Sequence, residues 1–232
     1  MAKNSNYQDL LKLIAIISMI IDHLGLYFFP EIIELRVVGR YAMPIFGFFV
    51  GYNFKNSINF SILLYGSVLY LVSTIFIYHH FIQANILISL FLGQLYLFLF
   101  QEHFKVLTKG WLHFVMLVSF FPFTFYFIDY GSLIIGIIVI GYMVKVKSIN
   151  INIAAFVVAF ASLLHTTMIF SSFGNIGLFL SFLVVTTVCL SIAHSHFETE
   201  LPFNVKVISR HSMLIYFTHI LIVQFVWRYY VY

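Results

Sequence analysis

Two short segments near the start of the chain carry the side chains best suited to chemistry. Asp22 and His23 lie two-thirds of the way along an apolar run that is long enough to cross a bilayer, and Arg36 and Arg40 open the next such run. Ionisable groups are costly inside hydrocarbon, so they tend to face a protein interior or a water-filled cavity and to mark function. A neutral imidazole takes and releases a proton near neutral pH, which suits a general base acting on an amine or hydroxyl.

Helical geometry predicts that these residues meet at one depth. With a rise of ~1.5 Å per residue, His23 lies roughly 9 Å below the outer end of the first span, and Arg40 lies roughly 6–8 Å below the outer end of the second. Arg36 and Arg40 share a helix face, whereas Asp22 and His23 point about 100° apart. We therefore expect Asp22 to hold an arginine while His23 faces a cavity. The alternative is that Asp22 and Arg40 form only a structural ion pair that fixes the first hairpin.

Three further side chains are candidates for the same site. His165 lies in the outer third of the seventh apolar run, near the depth of His23, and His219 lies in the middle of the last run. Tyr216 precedes His219 by three residues and shares its helix face. With Arg36, these residues are expected to contact a substrate or cofactor. The alternative for both histidines is a hydrogen bond between helices.

The composition excludes a soluble globular protein. Hydrophobic residues make up 62% of the 232 residues and charged residues 9%, whereas about 25% charged is usual for soluble domains. We predict one all-α integral membrane domain that covers residues 1–232. The net charge of +4 is interpreted as a topology signal and not as nucleic-acid binding. Cys189 is the only cysteine, so no intrachain disulfide can form, and no metal site is predicted.

Apolar runs near 20 residues predict a polytopic transmembrane helical bundle of about nine spans, with eight to ten compatible with the pattern. The predicted spans are 10–29, 36–54, 59–78, 84–101, 112–128, 131–146, 151–170, 175–193 and 211–230. Pro44 is expected to kink the second span near Arg40. Gly47 and Gly51 are spaced to let a neighbouring helix approach that span closely.

Basic residues alternate between successive loops. The loops after spans two, four, six and eight carry lysine or arginine, whereas the short loops after three, five and seven carry neither. Because basic residues favour the cytoplasmic side, this alternation places the N-terminus in the cytoplasm and the C-terminus outside.

The opening of the chain resembles the TraX family. The resemblance is carried by Leu11-Lys12, Met19-Ile-Ile-Asp22-His23-Leu-Gly25, Phe29-Pro30 and Arg36-Val-Val-Gly39-Arg40-Tyr-Ala42-Met-Pro44-Ile-Phe46. It is strong over about residues 8–55, and Met43 departs from it where the family often has an aromatic residue. The closing Ser212-Met-Leu-Ile-Tyr216-Phe-Thr-His219 is also similar to the last helix of broader membrane acyltransferase families. The family takes its name from a conjugation-plasmid protein implicated in N-terminal acetylation of pilin.

The resemblance implies an integral membrane acyltransferase of the bacterial inner membrane, with acetyl-CoA as the acyl donor and co-substrate. It implies N- or O-acetyl transfer to a protein, glycan or small-molecule acceptor at the outer side. His23 would act as general base, Asp22 would orient the site, and Arg40 with Arg36 would stabilise negative charge. His219 would line the path by which the acyl donor reaches the site, and Tyr216 and His165 stay candidates for contact with substrate or cofactor. Coenzyme A phosphates would enter near four cytoplasmic lysines, Lys105, Lys109, Lys145 and Lys147.

Two other functions fit the same residues. A proton-coupled transporter would use Asp22, His23 and Arg40 as a relay or substrate site and would form no covalent product. A non-catalytic membrane assembly factor would use the ion pair only for structure.

Overall fold

The computed structural model describes residues 5–76, 83–169, 186–187, 190–191 and 194–231, and over these residues the fold is all-α. This confirms the all-α part of the prediction. The helices, in chain order, are α1 (Tyr7–Tyr27), α2 (Ile33–Gly39), α3 (Ala42–Tyr52), α4 (Phe60–Phe76), α5 (Ile86–Phe100), α6 (Leu107–Thr124), α7 (Gly131–Lys145), α8 (Ile151–Ile169), α9 (Lys206–Arg210) and α10 (Ser212–Val226). A 3₁₀ turn, His103–Lys105, precedes α6, and a π-helical turn, Trp227–Val231, follows α10.

Helix α1 begins with a capping box. The Asn6 side chain accepts a hydrogen bond from the Asp9 N–H at 3.2 Å, and the Asp9 carboxylate accepts one from the Asn6 N–H at 3.2 Å. These bonds satisfy amide groups that have no partner within the helix. Of the helices that the structure describes, α1 alone combines the length and the apolar composition needed to cross a bilayer, and four shorter apolar helices follow it. The number of spans stays a prediction, because span eight (175–193) lies mostly outside the described residues.

The second predicted span, 36–54, is wrong as a single helix. The helix is interrupted at Arg40 and Tyr41, which separate α2 from α3. The break has a physical cause: Pro44 has no N–H to bond the carbonyl of Arg40, and proline is favoured in a first helical turn. Ser18 of α1 contacts the backbone just before the break, since its hydroxyl donates to the carbonyl of Val38.

Helix α7 lies at the centre of the bundle. Nearly all of its side chains are buried, and α3 crosses it in backbone contact. A Cβ atom added to Gly51 would overlap the Ile138 carbonyl oxygen, and one added to Gly141 would overlap the Phe48 carbonyl oxygen. The close approach predicted from Gly47 and Gly51 is therefore confirmed, with α7 as the partner.

Contacts between loops place the predicted basic loops at one end of the bundle. Lys145 donates to the carbonyl of Phe54, and the Ser148 hydroxyl donates to the carbonyl of Phe104 at 2.9 Å. At the opposite end, the Ala84 N–H donates to the carbonyl of Phe127 at 2.9 Å. We call the end with Lys145 and Ser148 the basic end and the end with Ala84 and Phe127 the site end.

Candidate functional site

Asp22 holds both arginines of the broken helix at the site end. Its Oδ2 lies 3.1 Å from Arg36 Nη1, and its Oδ1 lies 3.8 Å from Arg40 Nε. Arg36 Nη1 also donates to the backbone carbonyl of Asp22 at 3.0 Å. Asp22 and Arg40 are buried, with 7% and 6% of their surface exposed. Charges in so dry an environment require opposite charges nearby, which these three residues provide for one another.

Gly39 allows α2 to approach α1 closely enough for these contacts. A Cβ atom at position 39 would lie 2.6 Å from the Asp22 Cα and 2.5 Å from its Oδ1. Real Cβ atoms do not come this close to other atoms, so any larger residue would push α2 away from the carboxylate. The sequence Arg36-Val-Val-Gly39-Arg40 therefore combines the cations with the residue that lets them reach Asp22.

His23 forms a hydrogen-bonded pair with His219 of α10. His23 Nδ1 lies 2.8 Å from His219 Nε2, and His219 Nδ1 lies 2.9 Å from the carbonyl oxygen of Ile215. A carbonyl oxygen only accepts hydrogen bonds, so His219 carries its proton on Nδ1 and, as a neutral ring, accepts at Nε2. His23 must then donate from Nδ1. As a neutral ring, His23 then keeps a lone pair on Nε2.

A second polar wall comes from the turn between α6 and α7. The Tyr130 hydroxyl accepts a hydrogen bond from Arg40 Nη1 at 2.9 Å, which leaves its own O–H free to donate. Tyr130 adopts a left-handed backbone conformation, with φ of 63°, and such strain is found mainly where a side chain has a required position. The His165 ring stacks on the Tyr130 ring with their centroids 4.1 Å apart.

Asp129 precedes Tyr130 in the same turn, outside the helices. Burial raises the pKa of its carboxyl group to about 6, and the charges of Arg40 and Arg36 oppose that rise. The Asp129 N–H donates to the carbonyl of Ala84 at 2.8 Å, and the Ser89 hydroxyl donates to the Asp129 carbonyl at 2.9 Å. These bonds fix the turn against the start of α5.

These groups surround one cavity of about 550 Å³. His23, Arg40 and Tyr130 are among its lining residues, together with apolar side chains such as Met43 and Leu87. At another part of its wall, Gln224 exchanges hydrogen bonds with Ser73 at 2.9 and 3.1 Å. An apolar pocket with a few convergent polar groups is the usual form of a small-molecule site. Within the described ranges, no group of three His, Cys, Asp or Glu residues could hold a metal ion.

The structure brings the residues predicted for the site together. Asp22, Arg36, Arg40, His23 and His165 all line the cavity. Tyr216 lines it as well, and its ring meets the His23 ring edge-on at 6.1 Å. His219 does not line the cavity and instead supports His23 from behind.

Sequence reasoning missed Asp129 and Tyr130. Both lie between the predicted spans 112–128 and 131–146, where the pattern indicates only a short connection, although an acid beside a tyrosine is itself a local signal. The contact of Tyr130 with Arg40 joins positions 90 residues apart, and no local pattern predicts such a pairing. The alternative of a hydrogen bond between helices is observed for His219, which bonds His23, whereas His165 Nε2 has no hydrogen-bond partner among the described residues.

The fold and site define a helical protein rich in apolar segments, with a buried Asp–Arg ion cluster beside a mostly apolar cavity. The chain belongs to the TraX family, because the family model described as "TraX protein" matches residues 7–227. An uncharacterized protein of Rickettsia prowazekii (strain Madrid E) is 35% identical over 233 residues, which cover 97% of this chain and 94% of the relative. No solved structure matches the chain.

Proposed function

We propose that the chain is an acyltransferase of the bacterial inner membrane that moves an acetyl group from acetyl-CoA to an amine or hydroxyl. The observation that carries the proposal is the His23–His219 pair. It fixes the tautomer of His23 so that the unprotonated Nε2 is available beside the cavity. A general base needs this lone pair within reach of the proton that it removes. The association of the TraX family with pilin acetylation supports the same chemistry.

The residues support a direct transfer. The acceptor nitrogen or oxygen attacks the thioester carbon while His23 Nε2 takes the acceptor's proton. A new C–N or C–O bond forms, the C–S bond breaks, and the coenzyme A thiolate leaves and takes up a proton. The Tyr130 hydroxyl, polarised by the Arg40 hydrogen bond, is placed to stabilise the oxyanion that develops on the thioester oxygen.

Asp22 has a positioning role in this proposal. Its single negative charge offsets one of the two positive charges of Arg36 and Arg40, so that the cavity wall carries hydrogen-bond donors with less excess positive charge. An excess of charge would oppose protonation of His23 during the reaction. The acceptor is an amine or hydroxyl on a protein, a glycan or a small molecule.

The test uses membranes from cells that produce the chain, incubated with acetyl-CoA labelled in the acetyl group. Wild-type membranes should transfer label to a protein, lipid or glycan fraction. His23→Ala should lower the rate by about 10²–10⁴-fold, the usual contribution of a general base. His219→Gln, whose amide oxygen can accept from His23, should retain more activity than His219→Ala.

His211→Ala is the matched control, because His211 is an exposed histidine that does not line the cavity. Its transfer rate should equal that of the wild type. Equal transfer rates for His23→Ala and His211→Ala, in stably folded protein, would contradict the proposal.

A proton-coupled transporter is the second candidate, and one observation favours it. The helix is interrupted between α2 and α3 at Arg40 and Tyr41, next to ionisable groups, and many transporters use interrupted helices at their substrate site. Such a protein would carry a solute or protons across vesicles in an Asp22-dependent manner and would leave acetyl-CoA intact.

A further inference from the structure

A second cavity, of about 380 Å³, opens at the basic end of the bundle. Three cationic side chains from three different elements line it: Lys12 from α1, Lys55 from the segment after α3, and Arg210 from α9. Residues far apart in the sequence thus converge on one pocket. No acidic residue is among its lining residues, so its local charge is strongly positive.

The cations of this cavity have no close acidic partner in the part of the chain that the structure describes. Asp9 is the acid whose charge acts on Lys12, but its carboxylate accepts hydrogen bonds from Ser209 at 2.6 Å and from the Asn6 N–H at 3.2 Å. The Lys12 ammonium instead lies over the Phe49 ring, 5.4 Å from its centroid. Three cations that line one cavity without an acidic lining residue favour an anionic ligand.

The four lysines that we expected to lie where coenzyme A phosphates enter are not at this cavity. Lys105 binds the Glu102 carboxylate at 2.7 Å, and Lys145 donates to the carbonyl of Phe54. None of Lys105, Lys109, Lys145 and Lys147 lines either cavity. The cations of the second cavity are therefore the better candidates for a phosphate site.

The second cavity adjoins the first. Phe46, Val50 and Ser212 line both, so these side chains form a shared wall. Along α1, Lys12 and His23 are separated by about 16 Å at ~1.5 Å per residue. The pantetheine arm of coenzyme A is of comparable extended length. A phosphate group in the second cavity could thus be joined to a thioester at His23 by that arm, passing Phe46 and Val50.

We propose that the cavity lined by Lys12, Lys55 and Arg210 binds the phosphate-bearing nucleotide of the acyl-CoA donor. This inference rests on the proposed acyl transfer for the identity of the ligand, while the phosphate site itself does not depend on it. The aromatic ring of Phe49 and the polar Asn53 and Gln94 side chains would contact the ribose and adenine.

The test measures binding of coenzyme A to the purified full chain in nanodiscs of zwitterionic lipid by calorimetry. Lys12→Gln, Lys55→Gln and Arg210→Gln should each weaken binding about fivefold to tenfold, because each removes a charge-assisted contact to phosphate. Lys109→Gln is the matched control: it removes an exposed lysine that lines neither cavity, and it should leave the affinity unchanged. Dephospho-coenzyme A should bind more weakly than coenzyme A.

The outcomes distinguish this inference from the proposed function. Binding by His23→Ala at wild-type affinity, with no acyl transfer by any form of the protein, would support the phosphate site and overturn the transferase. Equal affinities for Lys109→Gln and the three cavity variants would overturn the phosphate site. A lipid headgroup would be the occupant if phosphatidylglycerol nanodiscs abolished coenzyme A binding and the three variants there changed only the thermal stability. That result would also overturn the phosphate site.

Discussion

Asp22 is the side chain on which the electrostatics of the site depend. It is the acid that contacts both Arg36 and Arg40. Its surroundings exclude water, so each of these charges requires an opposite charge nearby. Removing one partner from a buried ion pair is strongly destabilising, because the remaining charge has neither water nor a counter-ion.

Asp22→Asn should therefore lower the free energy of unfolding by about 3–5 kcal/mol. Chemical unfolding in mixed micelles measures this change. The double variant Asp22→Asn/Arg36→Gln should lose less than the sum of the two single variants, because the second substitution removes one of the uncompensated charges. Strictly additive losses would show that the carboxylate and guanidinium do not interact.

Asp129 makes the stability of the site end depend on pH. Its carboxyl group has its pKa raised by burial to about 6 from 3.8, so the folded protein favours the protonated form. The resulting stabilisation is complete below the unfolded pKa and is lost as pH rises through about 6.

Asp129→Asn should remove this dependence, because the amide does not titrate. We expect the variant to be more stable than the wild type at pH 7.5, by about 1–2 kcal/mol, because at that pH the wild-type carboxylate is charged where burial has removed part of its hydration. Melting temperatures at pH 5 and 7.5 measure the difference. A wild type that becomes more stable as pH rises would contradict the buried position of Asp129.

At the scale of elements, the contact between α1 and α2 sets the geometry of the ion cluster. Gly39→Ala should force the two helices apart, since its Cβ would lie 2.6 Å from the Asp22 Cα. We expect a destabilisation of about 1–3 kcal/mol or more, with a larger fall in the site's function.

Gly136→Ala in α7 is the matched control. The nearest atoms to its new Cβ are ring atoms of Phe114 at 3.2 Å, which can yield by a small side-chain movement. Its effect on the melting temperature should be clearly smaller. A Gly39→Ala protein as stable as Gly136→Ala would show that α2 is not held against Asp22.

The elements also show which parts of the site the sequence could predict. Asp22, His23, Arg36 and Arg40 lie on consecutive apolar segments, so helical rise and spacing were sufficient to place them at one depth. The sequence predicts only a kink near Arg40, whereas the structure has two helices. Pro44 shows which backbone hydrogen bond is missing but not how far the helix axis then turns. Tyr130 comes from a turn whose position depends on packing between α5 and α7 and could not be read from local pattern.

At the scale of the molecule, the gathering of the basic loops at one end supports the predicted orientation. The basic end should face the cytoplasm, following the preference of lysine and arginine for that side. In a chain with Cys189 replaced by serine, Ser57→Cys should react with membrane-impermeant maleimide only after the cells are opened. Glu31→Cys, on the exposed segment between α1 and α2, should react in intact cells. The reverse labelling pattern would show that the topology is opposite to the predicted one.

Sidedness matters to function because the two cavities lie at different ends. With the basic end in the cytoplasm, the phosphate-binding cavity meets the compartment that contains coenzyme A, and the His23 cavity lies towards the outside. In the proposed transfer, the pantetheine arm would pass Phe46 and Val50, which line both cavities.

The most direct test of acyl transfer uses the purified chain in liposomes with labelled acetyl-CoA, a membrane extract as the source of acceptor, and a pH-sensitive dye inside. We predict that wild-type protein releases free coenzyme A and forms a labelled covalent product, and that His23→Ala does neither. The dye should report the same proton flux for both proteins. Proton or solute movement that depends on His23, with acetyl-CoA left intact, would contradict the account and identify a transporter.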